Sequence, residues 1–209
     1  MDKLQMAINV FNKRAVQYQD KFMDVALYHD SFDLFCNSIP KQTAAVLEIA
    51  CGPGNITRYL LQKRPGFQLL GIDLAPNMLE LARSNNPQAE FMLMDGRDIL
   101  RLNKLFDGIM CGFCLPYLSR EEAVKMIGDA ARLLLPGGVF YISTMEDDYA
   151  RSGFQRSGAG DELYMYYHQA DYLVNALNAN GFKIIDIRRK QYPAADGSTT
   201  TDLIIIAGI

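Results

Sequence analysis

Val46-Leu47-Glu48-Ile49-Ala50-Cys51-Gly52-Pro53-Gly54-Asn55-Ile56-Thr57 reads as a buried strand that runs into a tight glycine turn and then into a helix. Gly52 and Gly54 carry no side chain, so the backbone there can come close to a ligand. The helix that follows presents unpaired N–H groups to an anionic group such as a carboxylate or phosphate. The turn lies just beyond the carboxyl end of a strand, which is where open α/β sheets bind ligands. A nucleotide site is indicated.

Outward from this unit the chain keeps one rhythm. From Thr43 short apolar or β-branched runs alternate with amphipathic segments, the pattern of a parallel α/β sheet. Residues 44–49 read as the first strand, 55–63 as a helix, 68–72 as the second strand and 76–85 as a helix with Pro76 in its first turn. Residues 89–94 form the third strand, 99–104 a short helix and 106–112 the fourth strand. Ser119-Arg120-Glu121-Glu122 matches a capping box and opens a helix whose apolar face runs through Val124, Ile127, Ala131 and Leu134; Pro136-Gly137-Gly138 stops it. Residues 139–144 are the fifth strand. A helix over 169–180, ended by Gly181, leads into a strand at 182–191, a turn at 193–197 and a last strand at 200–207, the two strands reading as an antiparallel hairpin.

Two segments stand outside that rhythm. Residues 3–28 hold no Gly or Pro, and Leu4, Ile8, Phe11, Ala15, Tyr18, Phe22 and Val25 recur at steps of four and three, which predicts one helix laid over the rest of the protein. A coiled-coil dimer needs the same stripe for longer than this. A short helix over 31–38 follows, with Asp30 as its cap and Pro40 as its end. Residues 146–162 are rich in Gly, Ser and charge and longer than a plain connection needs, which suits a lid or binding loop.

Composition narrows the function classes. With 209 residues, 49% of them hydrophobic, the chain can bury a full core as one compact unit. Its 21 basic against 24 acidic residues, net −3, argue against a polyphosphate partner, so no nucleic acid is expected. The longest uncharged apolar stretch, 108–119, is too short for a membrane helix, and Met1-Asp2-Lys3-Leu4-Gln5 does not read as a secretory signal. We therefore expect a cytoplasmic protein that meets no membrane. Cys36, Cys51, Cys111 and Cys114 are too few and scattered for a disulfide scaffold. Cys111 and Cys114 make a CxxC, but with only His29 and His168 elsewhere no metal centre is expected, and the pair reads as two small side chains at the end of a buried strand. Arg188-Arg189-Lys190 reads as the solvated face of a strand.

A glycine turn alone is weak, and its neighbours give it meaning. Asp73 stands at the end of the second strand, 21 residues after Gly52, where a carboxylate can accept bonds from both ribose hydroxyls of an adenosine. Asp95 stands at the end of the third strand, where it can accept a proton bond from the exocyclic amine of the base. A nicotinamide fingerprint is disfavoured, because its third glycine position falls on Thr57, and no P-loop string is present.

Five motifs in this order resemble the class I S-adenosylmethionine-dependent methyltransferases, particularly the small-molecule group that holds the ubiquinone and menaquinone biosynthesis enzymes. LEIACGPG is similar to the cofactor loop, GIDLAPNML to the ribose motif, FMLMDGRD to the adenine-side motif, FDGIMCGFCLPYL to the strand-four motif and LLLPGG to the turn before strand five. The resemblance implies a Rossmann-like seven-stranded sheet, mostly parallel with an antiparallel C-terminal strand, helices on both faces and an N-terminal helical cap, divided as 1–42 (cap) and 43–209 (methyltransferase domain). It implies S-adenosyl-L-methionine as cofactor, with Gly52, Gly54 and the backbone of Ala50 and Cys51 along the methionine part. Glu48 would order the loop, Asp73 and the adjoining Leu74 would meet the ribose, Asp95 and Gly96 the adenine, and Cys111 and Gly112 the floor beside the sulfonium. Tyr18, in Phe11-Asn12-Lys13-Arg14-Ala15-Val16-Gln17-Tyr18, resembles a lead-in tyrosine that approaches the cofactor, with plain core packing as the other reading.

Departures from the pattern bear on chemistry. Ala50 replaces the usual first glycine, and Pro116-Tyr117 stands where many relatives have two histidines. CLPY is similar to the NPPY or DPPY loop of amino-methylating nucleic-acid enzymes, but Cys114 takes the Asn or Asp position, so base methylation is unsupported. Methyl transfer from a sulfonium is an in-line displacement that positioning alone can accelerate. Candidates for a general base are Tyr117, Glu146 and His168, the last also readable as a cap or surface residue beside the aromatic run Tyr164-Met165-Tyr166-Tyr167. The expected partner is a small-molecule methyl acceptor, and the assembly a monomer or homodimer. A Rossmann-type NAD(P) oxidoreductase and a non-catalytic cofactor-binding protein are the alternatives.

Overall fold

Strand β1 (Ala45–Ile49) is buried along nearly its whole length, because it lies at the centre of a sheet covered on both faces. The computed structural model describes residues 3–156, 160–193, 197 and 199–209. Around β1 stand β2 (Gln68–Asp73), β3 (Glu90–Leu93), β4 (Phe106–Gly112), β5 (Leu134–Glu146), β8 (Lys183–Pro193) and β9 (Thr199–Gly208). Their order, β3-β2-β1-β4-β5-β9-β8, makes a seven-stranded sheet among the described residues. β1 pairs in parallel with β2 on one side and β4 on the other, whereas β9 runs antiparallel to both β5 and β8. The strand order therefore reverses between β1 and β4, and the crevice at their carboxyl ends is the natural ligand site of such a sheet.

Side-chain alternation explains why two cores exist. Leu47, Ile49, Ile109, Cys111, Leu203 and Ile205 point to the face covered by α6 (Arg120–Leu133) and α7 (Ala170–Ala179). Val46, Met110, Tyr141, Ile204 and Ile206 point to the other face, where α3 (His29–Ser38) and α4 (Asn55–Lys63) pack. α3 is thus part of the sheet's own layer, with Phe32 and Phe35 buried against Tyr141. α5 (Pro76–Asn85) covers the β2–β3 edge.

Several expected elements take a different form. The single N-terminal helix is two, α1 (Lys3–Lys13) and α2 (Ala15–Phe22), broken at Arg14 (φ −107°, ψ 18°), whose guanidinium reaches Asp161 at 2.8 Å. Asp30 does not cap α3; it sits in the first turn and accepts from Arg188 at 2.8 Å and Lys190 at 2.7 Å. The triplet 188–190 is accordingly ion-paired on both sides of β8, Arg189 donating to Glu146 at 2.8 Å. The capping box of Ser119 and Glu122 forms as expected, but the buried apolar face of α6 is Ala123, Met126, Ile127, Ala130 and Leu133, which pack on the sheet core, with Val124 38% exposed. The short helix at 99–104 is a kinked 3₁₀ segment, Gly96–Leu102. The segment 146–162 holds a 3₁₀ turn (Tyr149–Arg151) and β6 (Gly153–Arg156), which pairs with β7 (Glu162–Met165) and lays β7 against α1. Residues 157–159 of that segment, and 194–196 of the expected 193–197 turn, lie outside the described residues.

Gly54 shows what the turn requires. It caps α4 at φ +77°, and a Cβ there would lie 2.3 Å from Asn86 Nδ2 and 3.3 Å from Ala82 Cα. Asn86 Nδ2 donates to the Gly54 carbonyl at 2.9 Å and is fully buried, so it has nowhere to retreat. Gly54→Ala is expected to cost about 2 kcal/mol or more, and thermal melting should show a fall of roughly 4–8 °C.

Candidate active site

The turn after β1 is built from left-handed residues: Ala50 (φ +56°), Gly52 (φ +53°) and Gly54. Ala50 accepts a conformation that costs an L-residue about 1–2 kcal/mol, and the surrounding bonds hold it there. Cys51 N–H donates to Ile72 O at 3.0 Å and Gly54 N–H to Cys51 O at 3.0 Å. Asp73 closes the arrangement. Its Oδ2 accepts from Gly52 N–H at 2.9 Å and its Oδ1 from Ala75 N–H at 2.8 Å, so one carboxylate ties the β1 turn to the β2–α5 turn. Burial raises the Asp73 pKa above the usual carboxylate value despite those amides.

Glu48 acts from beneath. It is 1% exposed and takes a 2.5 Å bond from Thr57 Oγ1 in the first turn of α4, which ties strand to helix. Burial pushes its pKa up to about 8, against the Thr57 bond, and the nearby Asp73 adds to the rise. Thr57 itself is fully buried, so the position where a nicotinamide fingerprint has its third glycine is filled by a side chain with a structural partner.

Across the crevice stands Asp95. Arg97 grips it with its backbone N–H (2.8 Å) and with Nη2 (2.7 Å), and reaches Glu122 Oε1 with Nη1 at 2.8 Å. Burial works to raise the Asp95 pKa, but the Arg97 side chain and amide outweigh it and hold the carboxyl below its ordinary range. Asp95 is therefore a fixed anion whose orientation Arg97 sets. Sequence reading found Asp95 and missed Arg97.

These residues line a narrow cleft. Tyr18, Ala50, Gly52, Asp73, Leu74, Asp95, Gly96, Gly112 and Tyr117 all face it, together with Met78, Met94, Arg97 and Phe113. Glu48, Cys51, Gly54 and Cys111 are not on its surface. Cys51 is buried with its Sγ near Gly71, and Cys111 turns its Sγ to Met126 Sδ at 3.6 Å, so Gly112 and Phe113, not Cys111, form the floor. Phe113 has φ +55°, rare for a bulky residue, and its N–H is held by Ser143 Oγ at 3.0 Å.

A second, larger cleft adjoins the first, about 580 Å³ against about 110 Å³. Phe11, Tyr18, Phe113 and Tyr117 belong to both walls. Phe11 packs edge-on against Tyr18 (5.6 Å) and Tyr117 (5.0 Å), so the N-terminal helices and the end of β4 meet in one aromatic seam between the clefts. Burial pushes the Tyr18 phenol up to about 12 and the Tyr117 phenol higher still, which makes both hydrogen-bond donors rather than bases near neutral pH.

The other two candidate bases lie elsewhere. His168 is fully buried and outside both clefts. Its Nε2 faces the Leu115 carbonyl at 2.8 Å; a carbonyl only accepts, so Nε2 carries the hydrogen and Nδ1 takes the Tyr172 hydroxyl. Burial lowers its pKa to about 4, and with both nitrogens engaged it is a structural cross-link. Glu146 is paired with Arg189 and accepts from Ala170 N–H at 3.2 Å, also away from the clefts. Partners this distant in sequence gave no signal to a linear reading.

Two expectations follow. His168→Ala should lower stability by about 1–3 kcal/mol, the cost of an unsatisfied buried carbonyl, in a denaturant melt, while ligand affinity at the β1 turn stays unchanged. Glu48 has a folded pKa above its unfolded value, so its contribution is present at low pH and lost as pH rises from about 4.5 to about 8. Glu48→Gln should flatten the decline in melting temperature above about pH 6 and melt several degrees above wild type at pH 8.

Residues 46–138 match the methyltransferase domain family. A ubiquinone biosynthesis O-methyltransferase of Xylella fastidiosa is 30% identical over 118 residues, covering 54% of this chain and 46% of that protein. Magnesium protoporphyrin IX methyltransferase from Synechocystis PCC 6803, solved with bound S-adenosylmethionine, superposes with a TM-score of 0.73 at 18% identity over 100% of this chain and 97% of that one. The 1,6-didemethyltoxoflavin-N1-methyltransferase of Burkholderia thailandensis gives 0.71 at 22% identity, covering 98% and 87%. The chain spans about half, or less, of the length of curated relatives that are 30% identical or more. Residues 46–138 are thus similar to a methyltransferase domain, and the chain as a whole shares the fold of the solved S-adenosylmethionine-dependent methyltransferases it superposes on.

Proposed function

We propose that the protein transfers a methyl group from S-adenosyl-L-methionine to a small-molecule acceptor by in-line displacement, with the cofactor in the narrow cleft and the acceptor in the larger one. One observation carries this reading: the Asp73 carboxylate faces the left-handed turn after β1 while Asp95 closes the same cleft from β3. The residues fit the cofactor. Gly52 has only Tyr18 Cε1, at 3.9 Å, near the place a Cβ would take, which leaves open space above the turn. Asp73 accepts from the backbone N–H groups of Gly52, Ala75 and Leu74, and a carboxylate with about four acceptor sites still retains capacity for a ribose hydroxyl. Asp95, oriented by Arg97, and Gly96 would meet the adenine, with Leu74 and Met94 against the ring and Gly112 beside the sulfur. When bound, the cofactor supplies a methyl on positively charged sulfur.

The chain's own work is then positioning and exclusion of water. Tyr18 and Tyr117 stand between the two clefts and, as phenols that stay protonated, donate hydrogen bonds to whatever crosses the seam. Glu48, Cys51, Gly54 and Cys111 support the turn and floor from behind. We assign α1 and α2, the first part of the expected 1–42 cap, as a cap on the rest of the protein, supported by Phe11 and Tyr18 in the seam, while α3 packs in the sheet's own layer; a cytoplasmic location is supported by four buried free thiols. Thr57 and the family match favour this reading over the oxidoreductase alternative.

Calorimetry with S-adenosylhomocysteine should give micromolar binding, and Asp73→Asn should weaken it tenfold or more, the scale of a charged hydrogen bond to a hydroxyl. A wild-type chain that binds no S-adenosylhomocysteine would overturn the assignment, and absence of turnover across phenols, amines and acids would leave only a cofactor-binding role.

A further inference from the structure

Resting on the placement of the acceptor in the larger cleft, one side chain there says which acceptors fit. Asp202 on β9 is 3% exposed, and the surface it keeps faces that cleft. Among the described residues its carboxylate has one hydrogen-bond partner, the Tyr28 hydroxyl, which donates to Oδ2 at 2.6 Å. No cation among the described residues forms an ion pair with it. Lys190, directly opposite across the β8–β9 pair, gives its ammonium to Asp30 at 2.7 Å, as Arg188 gives its guanidinium at 2.8 Å. Arg14, on the cleft wall, is held by Asp161 at 2.8 Å, and Lys21 lies over the Phe22 ring at 4.9 Å. Asp24, the remaining acid of the wall, accepts from Ala26 N–H at 2.9 Å.

A carboxylate can accept about four hydrogen bonds, and here Oδ1 accepts none among the described residues. Burial lifts its pKa to about 6 against the Tyr28 bond, so near neutral pH it is mostly an anion. An unpaired anion in an apolar pocket is costly until a donor reaches it. The walls around it are aromatic: Tyr28, Phe32, Phe113 and Tyr192, with Tyr28 edge-on to Phe113 at 5.3 Å. Phe113 is shared with the cofactor cleft, so a ring seated beside it lies next to the site of transfer.

We propose that the larger cleft takes a flat, apolar acceptor carrying an N–H or O–H donor, and that Asp202 accepts that donor and so determines specificity. The same charge turns away acceptors whose deep end is a carboxylate. Tyr28 donates to the other carboxylate oxygen, Oδ2, and does not itself read the ligand.

Indole and benzofuran are matched probes, alike in size and differing in whether the ring bears N–H or oxygen. The chain contains no tryptophan, so indole fluorescence anisotropy reads binding against a dark background, and ligand-observed NMR reads both probes. Wild type should prefer indole by about tenfold. Asp202→Asn, which turns its oxygen to Tyr28 and its amide hydrogens to the cleft, should bring the preference below about threefold, while Tyr28→Phe retains it. S-adenosylhomocysteine calorimetry on the same samples checks that each variant is folded and separates the two readings. Intact cofactor binding with no indole preference in wild type sinks this inference alone, whereas failure of the cofactor to bind sinks the methyl-transfer assignment and leaves the indole result to judge Asp202. A preference that survives Asp202→Asn but vanishes in Tyr28→Phe would move recognition to the phenol and overturn the proposal. Should Asp202→Asn fail to fold, wild type and Tyr28→Phe still decide it.

Discussion

The bond from Gly52 N–H to Asp73 Oδ2 is the constraint on which the site depends. The turn after β1 must visit the left-handed region at Ala50, Gly52 and Gly54, and such backbone has little intrinsic reason to stay there. Asp73 supplies the reason, because its second oxygen is already committed to Ala75 N–H at the start of α5. Burial penalises the charge that makes those bonds strong, and the raised pKa of Asp73 is the sign of that tension. A ligand that brings hydroxyl donors to the same carboxylate relieves it. The strained turn and the costly anion are thus two halves of one preorganised feature.

Glu48 extends the same logic below the turn. Two acids, Glu48 and Asp73, press on the loop from within the sheet, and both lose ground as pH rises. Thr57 makes Glu48 tolerable by bonding to it where a glycine would have left space. The residue that argued against a nicotinamide fingerprint is therefore the one that lets this chain bury a carboxylate under its cofactor turn.

Local chemistry was readable wherever a local residue sets the boundary. α4, α5 and β4 fall at the residues expected from Gly54, Pro76 and Gly112, and four of the five motifs end at the carboxyl edge of β1 to β4, while LLLPGG lies at the opposite end, where β5 begins. The reading failed where a distant partner decides. Helical periodicity cannot show that the N-terminal helix is interrupted at Arg14, whose side chain is held by Asp161 far along the chain. It cannot show that the histidine after the tyrosine run is pinned by Leu115, fifty-three residues earlier in the chain. Arg97 was passed over because an arginine two residues beyond an acid is common, and only the fold shows that it also reaches Glu122 on α6. Asp202 carried no motif at all, since an acid near the start of a hydrophobic strand resembles a solvent-facing residue until Tyr28 closes over it.

These failures share a physical cause that also divides the site's labour. The cofactor side is made by backbone geometry and by residues adjacent in sequence to strand ends, so it is written in short motifs. The larger cleft, which we propose takes the acceptor, is assembled from α1, α2, the approach to α3, β7 and β9, elements that touch only after folding. Its walls are aromatic and undemanding, because ring burial is non-directional. Direction has to come from polar groups, and most of those in the cleft are already paired: Arg14 with Asp161, Asp24 with its own turn. Among the described residues Asp202 keeps one oxygen without a donor in a buried place where that is costly, which is the position a donor on the proposed acceptor would fill.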